Sequence, residues 1–336
     1  MSETGEPRGG WMIVRRVVAI QEAGMLLALL ALCAVILLSG QDAREAFLGP
    51  SNLQNVSRRV AMLALFAIGE TLVIIAAGID LSLGSLIAAA GVLVAHLMVK
   101  AGVGMAPAML TVLGLSGCVG CFHGLCVTKL RLQPFVVTLA SMLILRGSAK
   151  LLSPNMTIPL REANFGRFNA ISNGDVAGIP VPCLILVGVA VPAVLLLRST
   201  PWGRQLFALG GNEEAARLSG VNVHAIKIGA YCLCSALGGL SGMLDAALNR
   251  VGDPRAGVMY ELRAIAAAVI GGSSLMGGQG SVIGTIIGAG IFVVLYNGIN
   301  LVIKLNASLW ENVVVGGAVL LAVLLDVARR WWRQRG

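Results

Sequence analysis

Apolar segments long enough to cross a lipid bilayer recur along almost the whole sequence. A hydrocarbon core about 30 Å thick needs about 20 apolar residues in a helix, because each residue advances a helix by about 1.5 Å. About ten such elements can be recognised, at residues 24–39, 57–78, 82–99, 105–127, 134–152, 180–197, 225–247, 260–272, 279–303 and 308–327. The sequence therefore predicts an all-α polytopic membrane protein with about ten transmembrane helices. The segment 260–272 is short for a span, so it is either tilted against its neighbour or re-entrant.

The composition is that of a chain that lies mostly in lipid. Of its 336 residues 57% are hydrophobic and 12% are charged, and the mean hydropathy is +0.86. The 43 glycines fit this class, since helices in lipid associate through the close approach of small residues. The net charge of +9 comes from basic residues in short loops and at the chain ends, without an aromatic-rich basic face. We therefore expect the bilayer as a partner and no nucleic acid.

The chain ends indicate the orientation. Ten crossings would place both termini on one side, and the tail 329–336, "RRWWRQRG", combines interfacial tryptophans with arginines that favour the cytoplasm. No small-residue cleavage site follows the first apolar run, so we expect an uncleaved helix after a cytoplasmic segment 1–23. A single transmembrane domain would then occupy residues 24–328. Both termini are predicted to be cytoplasmic.

Two polar stretches interrupt the apolar pattern. The first, 153–179, lies outside in this topology and is long enough to shape the mouth of a path through the membrane. The second, 198–224, is too polar for lipid and too short for a domain, so we expect it to present a brief amphipathic helix to the cytoplasm.

No catalytic residue is predicted. The chain has no G-x-x-x-x-G-K-[ST] motif for ATP phosphates, and "GGQGSVIG" at 277–284 lacks the spacing and the strand context of a dinucleotide site. None of its three histidines adjoins a recognisable nucleophile motif. The nearest acidic pair is Glu70 and Asp80, and the glycine-rich break between them leads us to expect that they do not face each other.

No metal site is predicted either. The segment "CVGCFHGLC" contains Cys118, Cys121, His123 and Cys126, but a second ligand pair at finger spacing is missing. A helix would also scatter these side chains around its axis. We interpret the cysteines as small packing residues.

The stretch "AAGIDLSLGS" at 76–85 places a carboxylate inside an apolar region. Its polar and glycine positions are Gly78, Asp80, Ser82, Gly84 and Ser85. Asp80 or Ser82 could accept hydrogen bonds from the free amides of the next helix, while the glycines permit a turn. Two interpretations stay open, a tight turn between two spans and a broken helix whose exposed backbone lines a polar path.

A similar but weaker pattern of glycine and serine residues before an apolar helix occurs at 271–285, "GGSSLMGGQGSVIGT". Here Gly277, Gly278 and Gly280 are candidates for a second helix break on the path. The following helix would open with Gly280, Gly284 and Gly288, a small-xxx-small ridge that lets helix backbones approach closely. Packing within the chain is at least as good an interpretation of this ridge as a dimer contact.

The segment "NEEAARLSG" suggests a docking element. Glu213 and Glu214 suit the start of a short helix, where the helix dipole favours acidic side chains, and Gly220 suits its end. A small docking face would consist of Ala215, Ala216 and Leu218. The element could insert into a groove on a soluble partner, or it could be a solvated helix without a partner.

Three segments, in order, resemble signatures of the membrane permease subunits of ribose-type, or simple-sugar, ABC importers. Residues 70–91 resemble the signature of the second and third spans, 208–223 the cytoplasmic loop with its EAA-type motif, and 264–289 the carboxy-terminal signature. The segment 133–147 also fits, and the resemblance runs from about residue 45 to the end. Glu70 departs from an expected methionine, and Gln279 from an often basic residue.

The resemblance implies a type II-like architecture and a transport role. The chain would pair with a second permease subunit, as a homodimer, between a cytoplasmic ABC ATPase and a periplasmic sugar-binding protein. ATP and magnesium would bind to the ATPase and no cofactor to this chain, while residues 213–220 would couple the two subunits. The cargo would be a monosaccharide, a ribose-like pentose or a hexose, carried across the bacterial inner membrane.

Two alternatives to sugar import remain. A related permease could carry nucleosides or branched-chain amino acids. A proton-driven secondary transporter could use Glu70 or Asp80 as a relay, because ionisable groups inside a membrane are costly and mark functional sites. The docking helix argues against the last alternative, since such a carrier needs none.

Overall fold

The computed structural model of the chain describes residues 8–154, 156–302 and six further positions, 310, 313, 316, 317, 320 and 324. Most of the predicted last span, 308–327, and the whole predicted tail, 329–336, therefore lie outside the described residues. The first seven residues of the predicted segment 1–23 also lie outside them.

The described residues form helices and a few very short strands. The helices are α1 Arg8–Leu38, α2 Gln41–Leu48, α3 Pro50–Ile75, α4 Leu83–Val99, α5 Met105–Thr128, α6 Pro134–Leu152, α7 Glu162–Asn173, α8 Val181–Ser199, α9 Pro201–Gly211, α10 Glu213–Leu218, α11 Val223–Asn249, α12 Tyr260–Ile270 and α13 Val282–Val302. The strands are β1 Ile158–Pro159, β2 Asp175–Val176, β3 Ile179–Pro180 and β4 Val251–Gly252. Strand β1 pairs with β4 and β2 pairs with β3, both antiparallel.

Nine of the predicted apolar elements correspond to described helices. Within the described residues, five helices are long and apolar enough to cross a membrane, namely α5, α6, α8, α11 and α13. The described part of α1 from Glu22 and the whole of α4 are shorter apolar helices. Helix α3 carries Arg58 and Arg59 in its first half, which separates it from the five. The chain is an α-helical membrane protein, and the count of about ten spans stays a prediction.

Helix α11 lies at the centre of the bundle, in contact with α3, α4, α5 and α7. Glycines permit this close packing. A Cβ atom on Gly124 of α5 would lie 2.5 Å from Ile228 Cα, and one on Gly69 of α3 would lie 2.9 Å from Cys234 Cα. Because lipid-embedded helices gain stability from such close contacts, these glycines position α3 and α5 against α11.

The polar segment 153–179 contains regular secondary structure. It contains β1, α7, β2 and β3, and Phe168 of α7 is buried. Ser172 Oγ donates to the carbonyl of Leu244 at 2.7 Å, and Asn173 Nδ2 donates to the carbonyl of Ala247 at 2.8 Å. Polar side chains thus attach α7 to the last turns of α11, a contact that hydrophobic periodicity cannot reveal.

The glycine ridge packs within the chain. A Cβ atom on Gly284 would clash with the carbonyl of Gly271, and one on Gly288 with the carbonyl of Ala267. These two glycines therefore let α13 pack closely against α12 within the chain. The prediction that the helix opens with Gly280 is wrong, because α13 begins at Val282.

Candidate functional site

The chain leaves the helical path between α3 and α4, at residues 76–82, which we call the α3–α4 break. The left-handed residue in it is Ala77, with φ of +58°. Gly78 has no positive φ, and Gly84 lies inside the first turn of α4. The expectation that these two glycines permit the turn is therefore wrong.

Gly78 and Gly84 instead allow neighbouring segments to approach the break. A Cβ atom on Gly78 would clash with the hydroxyl of Tyr231 on α11. A Cβ atom on Gly84 would clash with the carbonyl of Gly257 and the carboxylate of Glu261. The glycines are needed for tertiary contacts and not for local backbone conformation.

Asp80 organises the break through its side chain and its amide. Its Oδ1 accepts hydrogen bonds from Ser82 N at 2.9 Å and from Ser82 Oγ at 2.6 Å, and its own N–H donates to Glu70 Oε1 at 3.1 Å. The expectation that Glu70 and Asp80 do not face each other is therefore wrong, because the break folds Asp80 back onto α3. Ser82 is the residue before α4, and its side chain makes no capping hydrogen bond to that helix. Ser85 is buried in the first turn.

Polar side chains from four parts of the chain meet beside the break. Glu70, Asp80, His123 and Cys234 have no exposed surface, and Tyr231 is 1% exposed. His123 Nδ1 lies 3.5 Å from Asp80 Oδ2, and Cys234 Sγ lies 3.9 Å from Glu70 Oε2. Buried ionisable groups within a membrane bundle are costly and signal function. Sequence analysis singled out Asp80 and Glu70 but missed that α5 and α11 complete the cluster.

The polar segment 198–224 forms two helices, α9 and α10, where one was predicted. Helix α10 begins at Glu213, and the side chain of Asn212 accepts a hydrogen bond from Ala215 N at 2.9 Å. Gly220 follows the helix with φ of +83°, a conformation that favours glycine. The predicted short helix with its glycine end is therefore confirmed.

The surface of α10 differs from the predicted docking face. Leu218 is 80% exposed and Ala215 is exposed, whereas Ala216 is buried in the protein core. Glu213 Oε2 binds Lys227 Nζ at 2.6 Å, which ties α10 to the start of α11, and Glu214 Oε2 binds Arg217 at 2.8 Å. Ala216 thus packs α10 against the bundle, and Ala215 and Leu218 remain on its exposed surface.

The glycine-rich segment 271–281 joins α9 to the end of α3. Gly278 N donates to the carbonyl of Ile75 at 2.9 Å, and a Cβ atom on Gly210 would clash with the same carbonyl. Gly277 and Gly278 have φ of +86° and +71°. Gly280 packs against the side chain of Ile75. These residues lie at a junction beside the α9–α10 segment.

Two adjoining cavities lie near the opposite end of α3. One, of about 320 Å³, lies between α3, α11, α12 and α13, and the other measures about 330 Å³. They share Asp245, Asn249 and Tyr260, and we call them together the Asp245 cavity. No residue of the α3–α4 break and none of 271–281 lines it. Sequence analysis missed Asp245, although a carboxylate late in an apolar helix was a usable signal.

A bundle of apolar helices around buried polar groups and polar cavities defines a polytopic α-helical membrane protein. The chain belongs to the family described as branched-chain amino acid transport system / permease component, whose model matches residues 52–324. Sequence comparison thus includes the α3–α4 break, α10 and the Asp245 cavity in one family domain.

The chain is similar to curated sugar permeases along most of its length. It is 39% identical over 308 residues to the ribose import permease protein of Escherichia coli K12, covering 91% of this chain and 94% of that protein. It is 38% identical over 309 residues to the ribose import permease protein of Bacillus subtilis, covering 91% and 93%. The D-allose transport system permease protein of E. coli is 32% identical over 298 residues, covering 88% and 89%. No solved structure matches the chain.

Proposed function

We propose that the chain is the permease subunit of an ATP-binding cassette importer for a monosaccharide, a ribose-like pentose or a hexose. The observation that carries the proposal is 39% identity to a ribose import permease over 91% of the chain. The 32% identity to a D-allose permease supports the sugar class. The protein itself would hydrolyse nothing, and ATP and magnesium would bind to a separate ATPase subunit.

The proposed assembly places α10 on the cytoplasmic side, against the ATPase. About ten helices would cross the inner membrane in a type II-like arrangement, with both termini in the cytoplasm. Residues 153–179 and the Asp245 cavity would then face the periplasmic sugar-binding protein. A second copy of the permease would complete the membrane part as a homodimer.

Coupling would run from α10 along α11. Glu213 is bound to Lys227 on the first turns of α11, and Tyr231 and Cys234, further along α11, contact the buried cluster at the α3–α4 break. ATP binding would close the ATPase, move α10 and shift the helices between inward and outward states. A rigid helix is suited to this role because it transmits displacement over its whole length.

Branched-chain amino acid import is the second candidate, because the matching family model carries that description. Either importer would work with an ATPase and a binding protein. The two candidate functions therefore differ only in the solute that is carried.

The test is uptake by proteoliposomes that contain the permease and the ATPase encoded by a neighbouring gene, supplied with the neighbouring binding protein. Labelled ribose, allose, xylose and leucine would be compared with and without ATP. We expect ATP-dependent uptake of a sugar that persists when an uncoupler collapses the proton gradient. Uptake of leucine alone would contradict the sugar assignment, and uptake driven by the proton gradient without ATP would contradict the importer class.

A further inference from the structure

The Asp245 cavity is a partly open cleft that is large enough for a small polar molecule. Its two parts measure about 320 and 330 Å³, which falls in the range of ligand pockets, and Asp245, Asn249 and Tyr260 lie where they meet. Asp245 is only 8% exposed, so its carboxylate is largely shielded from bulk solvent. A polar ligand in the cavity would replace the lost hydration of this carboxylate.

The charged side chains that line the cavity sum to a net charge of zero. Arg59 and Arg263 contribute positive charge, while Asp245 and Asp253 contribute negative charge. A lining without net charge favours a neutral polar solute over an anion or a cation. Carboxylate oxygens accept hydrogen bonds from hydroxyl groups, and an amide both donates and accepts them. Asn249 Nδ2 donates to the backbone carbonyl of Asp245 at 3.1 Å, which holds the amide beside that residue.

One wall of the cavity contains a stacked aromatic pair. The rings of Phe66 and Tyr260 are stacked, with centroids 5.7 Å apart and planes inclined by 5°. The guanidinium carbon of Arg263 lies 4.9 Å from the centre of the Tyr260 ring, which restricts that ring further. A pyranose or furanose ring carries both hydroxyl and C–H groups, so it can contact the polar side chains of the cavity together with its aromatic residues.

The position of the cavity suits entry from the side opposite to α10. Its α3 residues run from Arg59 to Phe66, whereas the end of α3 at Ile75 contacts the 271–281 segment and α9. Arg59 and Ile75 are separated by a helical rise of about 24 Å. A solute in the cavity would therefore be separated from the proposed ATPase contact by most of the bundle.

We propose that the Asp245 cavity holds the monosaccharide during its transit, with Asp245 and Asn249 binding its hydroxyl groups. This inference rests on the proposed function, because it requires a sugar as the cargo. It assigns a recognition step to the permease in addition to the selection made by the binding protein.

The test measures ribose imported per ATP hydrolysed in the reconstituted complex. Asp245→Asn and Asn249→Ala are each expected to lower ribose uptake at least about tenfold, because the first weakens a charge-assisted hydrogen bond to the cargo and the second removes a hydrogen bond. ATP hydrolysis stimulated by the binding protein should stay within about twofold of the wild type, since α10 lies at the other end of α3. Glu45→Gln is the matched control, because Glu45 is an exposed carboxylate in α2 that lines neither part of the cavity.

The outcomes separate the inference from the proposed function. Reduced uptake with retained hydrolysis in either variant, and unchanged uptake in the control, supports the inference. Wild-type ribose uptake in both variants overturns the inference and leaves the proposed function intact. A wild-type complex that imports no monosaccharide overturns both. If Asp245→Asn fails to insert, the Asn249→Ala result decides, because Asn249 is exposed at the end of α11 and its loss does not disturb the core.

Discussion

The backbone amide of Asp80 donates a hydrogen bond to Glu70 Oε1 at 3.1 Å, although a break in the helix separates the two residues. The contact ties the second half of the break to α3. A carboxylate buried within α3 therefore fastens the break. Any movement that opens the α3–α4 break must lose this hydrogen bond.

Replacing Asp80 distinguishes hydrogen bonding from charge. Asp80→Asn keeps the Oδ1 that accepts from Ser82, so we expect the free energy of unfolding to fall by less than about 1 kcal/mol, whereas Asp80→Ala should lower it by about 2 kcal/mol. Unfolding in mixed detergent micelles gives both values. Asp175→Ala is the control and should change nothing. Equal damage by the two Asp80 variants would mean that the negative charge itself is required.

Helix α10 is expected to tolerate changes in its exposed side chains without loss of insertion. Leu218→Asp and Glu214→Lys should lower ATP-driven uptake at least about tenfold, because each removes or reverses a contact offered to the ATPase. Leu130→Asp is the matched control, since Leu130 is 66% exposed in another connection and Leu218 is 80% exposed. Normal uptake by both α10 variants would count against the docking role.

Gly278 is expected to be intolerant of any side chain. Gly278→Ala should lower the free energy of unfolding by at least about 2 kcal/mol, because its left-handed backbone is costly for alanine and a Cβ atom would lie 2.8 Å from Gly211 N. Gly188→Ala in α8 is the control, since nothing lies within 4 Å of its Cβ position. An unchanged free energy of unfolding for Gly278→Ala would show that the segment 271–281 does not pack tightly against α9.

Gly288 tests whether the glycine ridge serves packing within one subunit. Gly288→Val should destabilise the isolated subunit by about 2 kcal/mol or more, because its Cβ would press α12 and α13 apart. Gly147→Val in α6 should have little effect, as its Cβ position is open. Thermal unfolding measures the stability of both variants, and light scattering measures their oligomeric state. A variant that keeps its thermal stability but dissociates from a dimer would favour a dimer contact at this ridge.

The helices were predictable because their signal is local. Element 134–152 coincides with α6 Pro134–Leu152, since a proline start and a continuous apolar run define a helix without reference to the rest of the chain. Helix α10 was predictable for a similar reason, because Asn212, the two glutamates and Gly220 form a local set of capping signals.

Tertiary contacts were harder to predict. Helix α7 was not predicted because polar side chains attach it to α11, and Gly78 and Gly84 were assigned to a turn in which Ala77 is the left-handed residue. The Asp245 cavity was missed because α3, α11, α12 and α13 bring its residues together over long sequence distances.

The sequence by itself determined the class of protein, the positions of most helices and the exposed α10, because apolar length and helix capping act over a few neighbouring residues. Only the tertiary structure decided that Asp80 meets Glu70 and His123, that Ala216 faces inward and that Asp245 lines a cavity. These outcomes depend on how closely glycines let helices approach, and that closeness is set jointly by residues far apart in the chain.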